Sequence, residues 1–330
     1  MVALLTALFF GFVPCFVFAY ILYWLDHYEK EPKILLGAVF LWGAVVAAGG
    51  SYILNSLFGI AVFGLAGSQG LADVAGATLS APLVEETLKG MAVLIVFLIF
   101  RHEFDSILDG IVYAGITALG FAATENSIYI WRGYLGDGWG GLALLVFIRV
   151  ILVGWQHPFY TSFIGMGLAL ARTNNNLFVK IITALTGWGL AMFTHATHNF
   201  LASIPLFGEL TCLLGSALDW IGVLFIFVII LWAGWMEQRN IILHIREEMQ
   251  LGIISPAQYR TASSAISQSF ARFTSVFNGQ FLATSRFYQV IGELAHKKEQ
   301  LGKHGEEYGN SSLVQKYRRE LAALAARAQS

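Results

Sequence analysis

Val84-Glu85-Glu86-Thr87-Leu88-Lys89 runs directly into Gly90-Met91-Ala92-Val93-Leu94-Ile95-Val96-Phe97-Leu98-Ile99-Phe100, so two carboxylates and an ammonium stand inside an apolar run. With the residues before it, the stretch 76–100 is long enough for a bilayer crossing, which takes about 20 residues. A charge at mid-membrane costs at least roughly 2.5–3.5 kcal/mol, so charges retained there usually line a functional cavity. The stretch therefore predicts a transmembrane helix that carries part of a hydrophilic centre sunk in the membrane.

Six further runs of the same kind flank it, at 3–25, 34–64, 106–131, 142–171, 177–204 and 211–236. Composition agrees: 57% of residues are hydrophobic and 12% charged, against about 25% charged in an ordinary soluble chain. The expected fold is an all-α polytopic transmembrane bundle of about seven spans, with a helical C-terminal tail. Pro158 lies inside an overlong run and predicts a bend or break there; a split at that point would make eight. The apolar opening Met1–Tyr23 lacks a basic lead-in and reads as a retained span, not a cleaved signal. The expected domains are 1–236 in the membrane and 237–330 outside it. The tail has helical period at Met236–Gln250, Ala283–Gln300 and Leu313–Arg327, with 12 Lys and Arg against 8 Asp and Glu, a surplus of four.

Net charge is −1, which offers nothing to a nucleic acid. Cys15 and Cys212 sit in apolar surroundings and read as small core residues. Lys30, Lys33, Arg101, Arg172, Lys180 and Arg239 fall on loops of one side for an odd span count, and the positive-inside rule makes that side cytoplasmic. The N-terminus is then outside and the tail inside. Trp24, Trp131, Trp139 and Trp235 stand near span ends as interfacial anchors.

Three polar elements remain to be placed. Lys89 is three residues from Glu86 and four from Glu85, so its ammonium can lie against either carboxylate. One cation for two carboxylates leaves an excess negative charge, suited to acid–base work or to a metal; a helix-end charge cluster after Pro82 is the bland reading. Glu125 follows Gly120-Phe121 near the far end of its span. Asp109, about 24 Å of helix away, suits capping better than chemistry. His157-Pro158 and His195-Ala196-Thr197-His198-Asn199 bring imidazoles from two further spans, and Arg149 is an intramembrane cation that needs an anionic partner, expected to be a Glu of the Glu85-Glu86 cluster. Two Glu and two His that converge can hold Zn²⁺ or activate water directly, and spacing alone does not choose. No His-Glu-x-x-His, no Gly-x-Ser-Gly nucleophile and no Gly-x-Gly-Asp occurs, which excludes the site-2, rhomboid and presenilin types of membrane protease.

Taken together these elements resemble the PrsW-type intramembrane proteases, distant relatives of the CAAX-processing and bacteriocin-protection (CPBP/Abi) membrane proteases. The resemblance rests on Glu85, Glu86 and Lys89; on Gly120, Phe121, Glu125 and Asn126; on His157-Pro158; and on His195 with Asn199. Asp26-His27-Tyr28-Glu29-Lys30-Glu31-Pro32 looks like the family's opening signature, and Asp109-Gly110-Ile111-Val112-Tyr113 also fits. It covers about 20–204, and the tail lies outside it. The resemblance implies hydrolysis of membrane-anchored proteins, with anti-sigma-factor-like regulators as a substrate class, at a bacterial cell membrane. It implies that Glu85 or Glu86 activates water and that Lys89 tunes them. Glu125, His157 and His195 would hold a metal, Zn²⁺ first, or meet the oxyanion, and Asn199 would orient His195 or the substrate carbonyl. His198 stands where the family usually has an apolar or aromatic residue, and its part stays open. The competing readings are a proton- or ion-coupled transporter and a non-catalytic membrane scaffold.

Overall fold

The computed structural model describes residues 1–26, 30–104, 106–203, 209–306 and 309–328. His27, Tyr28 and Glu29 of the opening signature lie outside the described residues, as does the side chain of Cys212. Among the described residues the chain forms helices and no strand. In order they are α1 (Val2–Leu25), α2 (Lys33–Leu41), α3 (Ala48–Ala66), α4 (Gln69–Ala75), α5 (Ala81–Ile99), α6 (Ile107–Val146), α7 (Gln156–Thr173), α8 (Leu177–Ser203), α9 (Glu209–Gln250), α10 (Pro256–Ala262), α11 (Ala265–Phe277), α12 (Phe281–His304) and α13 (Asn310–Ala325). Wider π-helical turns at Trp42–Ala47 and Gly76–Ser80 join α2 to α3 and α4 to α5, and a third at Phe147–Leu152 follows α6.

Among the described residues five stretches are long and apolar enough to cross a membrane: Val2–Leu25, Lys33–Ala66, Ile107–Thr173, Leu177–Ser203 and Leu213–Gln250. The protein is an all-α polytopic membrane protein. Helix α5 falls outside that set by composition, since it carries Glu85, Glu86 and Lys89, and all three are buried.

Helix α6 is the hub. Every residue from Leu108 to Ala123 is buried, and α1, α2 and α7 pack around it. Lipid offers little hydrophobic drive for helix association, so close packing must come from small residues. Gly120 shows how tight it is: a Cβ there would lie 2.0 Å from the Phe40 carbonyl oxygen on α2. Gly110 meets α7 as closely, with an added Cβ 2.4 Å from the Gly165 carbonyl oxygen. Ser106 and Asp109 close a reciprocal capping box at the start of α6, the capping role expected of Asp109. Asp137 and Gly138 leave helical geometry, Gly138 at φ 62°, and kink the far end.

The interruption expected at Pro158 lies upstream of it. Val153–Trp155 are non-helical and α7 starts at Gln156, which puts Pro158 in the first turn. An amide is not needed there, so the proline is accommodated without a break. The last span and the helical stretch expected at Met236–Gln250 are one continuous helix, α9, which runs to Gln250. At about 1.5 Å per residue it is roughly 63 Å long, twice the hydrocarbon core. The charge step at 237 brings no change of conformation, because the Glu, Gln, Arg, Leu and Met that follow are good helix formers.

Two compact units emerge, one of Met1–Leu25 with Glu31–Ile229, the other of Ile230–Ser330 with Asp26–Lys30. The second has its own apolar core, which includes Ile241, Ile245, Phe287, Ile291, Leu294 and Leu321.

Candidate active site

Four helices of the first unit supply the site. Helix α5 presents Glu85, Glu86 and Lys89; α6 presents Phe121, Glu125 and Asn126; α7 opens with His157; and α8 carries His195. The position of α5 is fixed by tryptophans on two neighbours, one bonded to its backbone and one to a side chain. Trp42 Nε1 donates to the Leu88 carbonyl at 2.9 Å, and Trp188 Nε1 donates to the Thr87 hydroxyl at 3.0 Å. The close α2–α6 contact at Gly120 sets the depth at which Phe121 and Glu125 enter.

Adjacent in sequence, Glu85 and Glu86 have opposite environments. Glu86 is fully buried and saturated. One oxygen takes Lys89 Nζ at 2.5 Å and faces His195 Nδ1 at 2.8 Å; the other accepts the Thr161 hydroxyl at 2.8 Å. Lys89, also fully buried, lies 3.4 Å from His157 Nδ1 and sits 4.5 Å from the centre of the Phe121 ring. Glu85 Oε2, by contrast, is buried with no hydrogen-bond partner among the described residues; His195 Nε2 is 3.9 Å away. Glu85 and Glu125 both line a cleft of about 530 Å³, together with Asn55, Asp73, Phe121 and Tyr129.

Glu125 is held from two sides. Arg149 donates to it and, through Nε, to Asn126 at 2.9 Å; His157 Nε2 lies 2.8 Å from the same Glu125 oxygen. Arg149 thus finds the anion its burial demanded on α6, at Glu125 in place of the expected Glu85-Glu86 cluster. The immediate site holds three carboxylates (Glu85, Glu86, Glu125) against two fixed cations (Lys89, Arg149).

The two imidazole rings lie 5.4 Å apart, nearly perpendicular. Each has one nitrogen on a carboxylate: His157 Nε2 on Glu125 and His195 Nδ1 on Glu86. If each of those nitrogens carries the proton, His195 Nε2 keeps an open lone pair beside Glu85, while the lone pair of His157 Nδ1 faces the Lys89 ammonium at 3.4 Å. Ligand atoms of Glu85, His157 and His195 all fall within 4.8 Å of one another, and all three residues are buried. The carboxylate-backed imidazoles and the unpartnered Glu85 oxygen fit a divalent cation, for this is the donor set and outer shell that zinc sites use. Of the expected ligands Glu125, His157 and His195, both imidazoles fall in this group; Glu125 is engaged by Arg149 and by His157, and Glu85 is the carboxylate grouped with the imidazoles.

Asn199 is placed differently from expectation. Its side chain donates to the Ala77 carbonyl at 2.9 Å, tying α8 to the turn before α5. His198 turns to Asp219 on α9, with Nδ1 2.6 Å from Oδ2. The same aspartate accepts the Tyr160 hydroxyl at 2.8 Å, and the Tyr160 ring stacks on His195 at 4.9 Å. Tyr160, Thr161 and Asp219 were missed by sequence reasoning. The signal for Asp219 was available, since it is a carboxylate inside the last apolar run. Tyr113 donates to Glu31, joining the opening signature to the Asp109–Tyr113 element on the first unit.

A family model described as PrsW family intramembrane metalloprotease matches residues 31–234, well over half of the chain. The chain belongs to the PrsW family. Proteins named Protease PrsW from three bacteria are similar to it. That of Oceanobacillus iheyensis is 31% identical over 120 residues, 36% of this chain and 50% of the relative. That of Geobacillus kaustophilus is 37% identical over 106 residues, 32% of this chain and 43% of the relative. That of Clostridioides difficile is 37% identical over 107 residues, 32% and 42% respectively. The chain thus spans half or less of the length of the curated relatives it matches. No solved structure matches it. The PrsW match contains the four site helices and ends before the tail.

Proposed function

We propose that this chain is an intramembrane peptidase that hydrolyses peptide bonds of membrane-anchored proteins, with anti-sigma-factor-like regulators as the substrate class. The observation that carries the reading is the convergence of Glu85, His157 and His195 on one another, with a Glu85 oxygen left unpartnered among the described residues and Glu85 itself lining the polar cleft. The activity belongs to 1–236, and 237–330 is an appended region on the cytoplasmic side of a bacterial plasma membrane, with the N-terminus outside.

Peptide hydrolysis needs a group that takes a proton from water, donors that meet the oxyanion, and a route for that proton to the leaving nitrogen. Glu85 is the group with capacity to spare. It receives the proton from water and returns it to the amine. Glu86 is fully occupied; it holds Lys89 and His195 in place and has no free oxygen for water. Glu125 orients His157. Glu85, His157 and His195 would hold a divalent cation, Zn²⁺ first, and a carboxylate that ligates through one oxygen keeps the other for the proton. When bound, such an ion acidifies water and polarises the scissile carbonyl. The substrate helix must unwind locally, because its backbone bonds are satisfied in lipid; the polar cleft beside Glu85 offers Asn55 and Tyr129 to the strands so freed.

The test is cleavage of a fluorogenic single-span peptide by the purified chain in detergent. Cleavage that a chelator stops and Zn²⁺ restores is expected. Proton or ion flux in proteoliposomes with no cleavage of any single-span substrate overturns the reading in favour of transport.

A further inference from the structure

Helix α11 of the tail is arranged inside out. The residues it buries are Gln268, Ala271 and Ser275. The residues it turns outward are Ile266, Phe270, Phe273 and Phe277, which are 83%, 67%, 62% and 76% exposed. The spacing of those four is a single helical stripe. A helix seated on a soluble core and facing water would do the reverse. Here the polar residues make the seat: Gln268 Nε2 donates to the Ala262 carbonyl at 2.8 Å, and Ala271 joins the tail's apolar core. Val276, Phe281 and Leu282 extend the exposed patch. Contiguous apolar surface of this kind marks an interaction site.

Charge indicates what covers it. From Met249 to Gly292 there is no Asp or Glu, and the charged residues are Arg260, Arg272 and Arg286; the last is paired with Glu293 and Glu320, which leaves Arg260 and Arg272 as the basic residues that flank the stripe. Connectivity agrees. The tail continues from the long apolar helix α9, where Arg239 stacks on Trp235 at 4.9 Å, the residue types that anchor a helix at the lipid–water boundary. Ile266 follows Trp235 by 31 residues of chain, so the stripe is tethered to a bilayer at high local concentration. An aromatic-rich apolar face on a stretch of chain that carries basic and no acidic residues is the pattern of helices that lie in the interface of anionic membranes.

We infer that α11 docks on the surface of an anionic phospholipid leaflet, inserting Ile266, Phe270, Phe273 and Phe277 at the boundary between headgroups and acyl chains. The tail is thereby a lipid-contacting module, whatever chemistry the first unit performs.

The test uses the full chain with Cys15→Ser and Cys212→Ser, carrying an environment-sensitive fluorophore at Phe273→Cys, in phosphatidylcholine vesicles with or without phosphatidylglycerol. Expected are a blue-shifted emission and quenching by nitroxides on the upper acyl chain, both stronger with phosphatidylglycerol. A label at Gln315→Cys on α13 should instead be quenched by aqueous iodide. Adding Ile266→Ser, Phe270→Ser and Phe277→Ser should bring lipid quenching at position 273 down to that of the Gln315 label, while hydrogen-exchange protection of α12 is kept. A position-273 label open to iodide and untouched by lipid nitroxides overturns the inference. So does a label shielded from both quenchers, which would mean a protein surface or a second copy covers the stripe. The single-label result decides even if the triple variant does not fold.

Discussion

Among the described residues two glutamate pairs stand on helices, Glu85-Glu86 on α5 of the first unit and Glu247-Glu248 on α9 in the tail, and they are resolved in opposite ways. In the tail, Glu248 is fully buried and receives Lys298 at 2.8 Å and Arg318 at 2.7 Å. Its neighbour Glu247 is half exposed and shares the same two cations, at 2.6 and 3.1 Å. Two anions meet two cations, and nothing is left over. In the membrane, Glu86 absorbs Lys89, Thr161 and His195, while Arg149 goes to Glu125. Glu85 gets no cation of its own. A buried carboxylate that is fully paired fastens helices together. One kept short of partners at the edge of a polar cleft carries an energetic cost that structure alone does not reward, and such costs gather at functional sites.

The sharpest break of this comparison is Glu85→Gln, which should lower peptide cleavage by about 10²–10⁴-fold, the usual weight of a positioned acid–base group. The detergent melting temperature should stay near that of the parent. The matching change Glu247→Gln should leave cleavage untouched, and comparable losses at the two positions would erase the distinction. Next in size is Glu86→Ala. It leaves the buried Lys89 ammonium uncompensated and should destabilise the first unit by about 3–5 kcal/mol, read as thermal unfolding in detergent. Adding Lys89→Met should recover most of the stability without restoring cleavage, because His195 still lacks its Nδ1 partner. Glu248→Ala should cost less, about 1.5–3 kcal/mol for a charged hydrogen bond, since Glu247 stays beside both cations. Hydrogen exchange across α12 and α13 measures it, and cleavage should not change. The smallest effect concerns Glu293 on α12. Burial pushes its carboxyl above the usual range, partly offset by Arg286 at 2.8 Å. With the folded value raised, its contribution is full below the unfolded pKa and is lost as pH rises through the folded one. Glu293→Gln should therefore flatten the decline in α12 protection as pH rises through that range; a steeper decline would reverse the sign.

Much of this was readable beforehand, and the failures have physical causes. Helical period places Lys89 beside Glu86, and the cost of charge in lipid points at Glu85, Glu125, His157 and His195 without any structure. What period cannot do is pair residues across helices. Arg149 evidently needed an anion, yet its partner Glu125 lies 24 positions back on another element. Asn199 shares a helical face with His195 by spacing, but its amide reaches the Ala77 carbonyl, a backbone group that sequence hides. Tyr160, Thr161 and Asp219 are single polar residues in apolar runs, with no second member to form a motif.

Gly120 has a wider consequence. With the Phe40 carbonyl packed where its side chain would be, the separation of α2 and α6 is set by the absence of a single methyl group. Glu125 lies five residues further along the same rod, so the reach of that carboxylate toward His157 is inherited from a contact that performs no chemistry. Side chains around the imidazoles can be exchanged one at a time, but the gap between these two rods is a tolerance that the whole arrangement must respect at once.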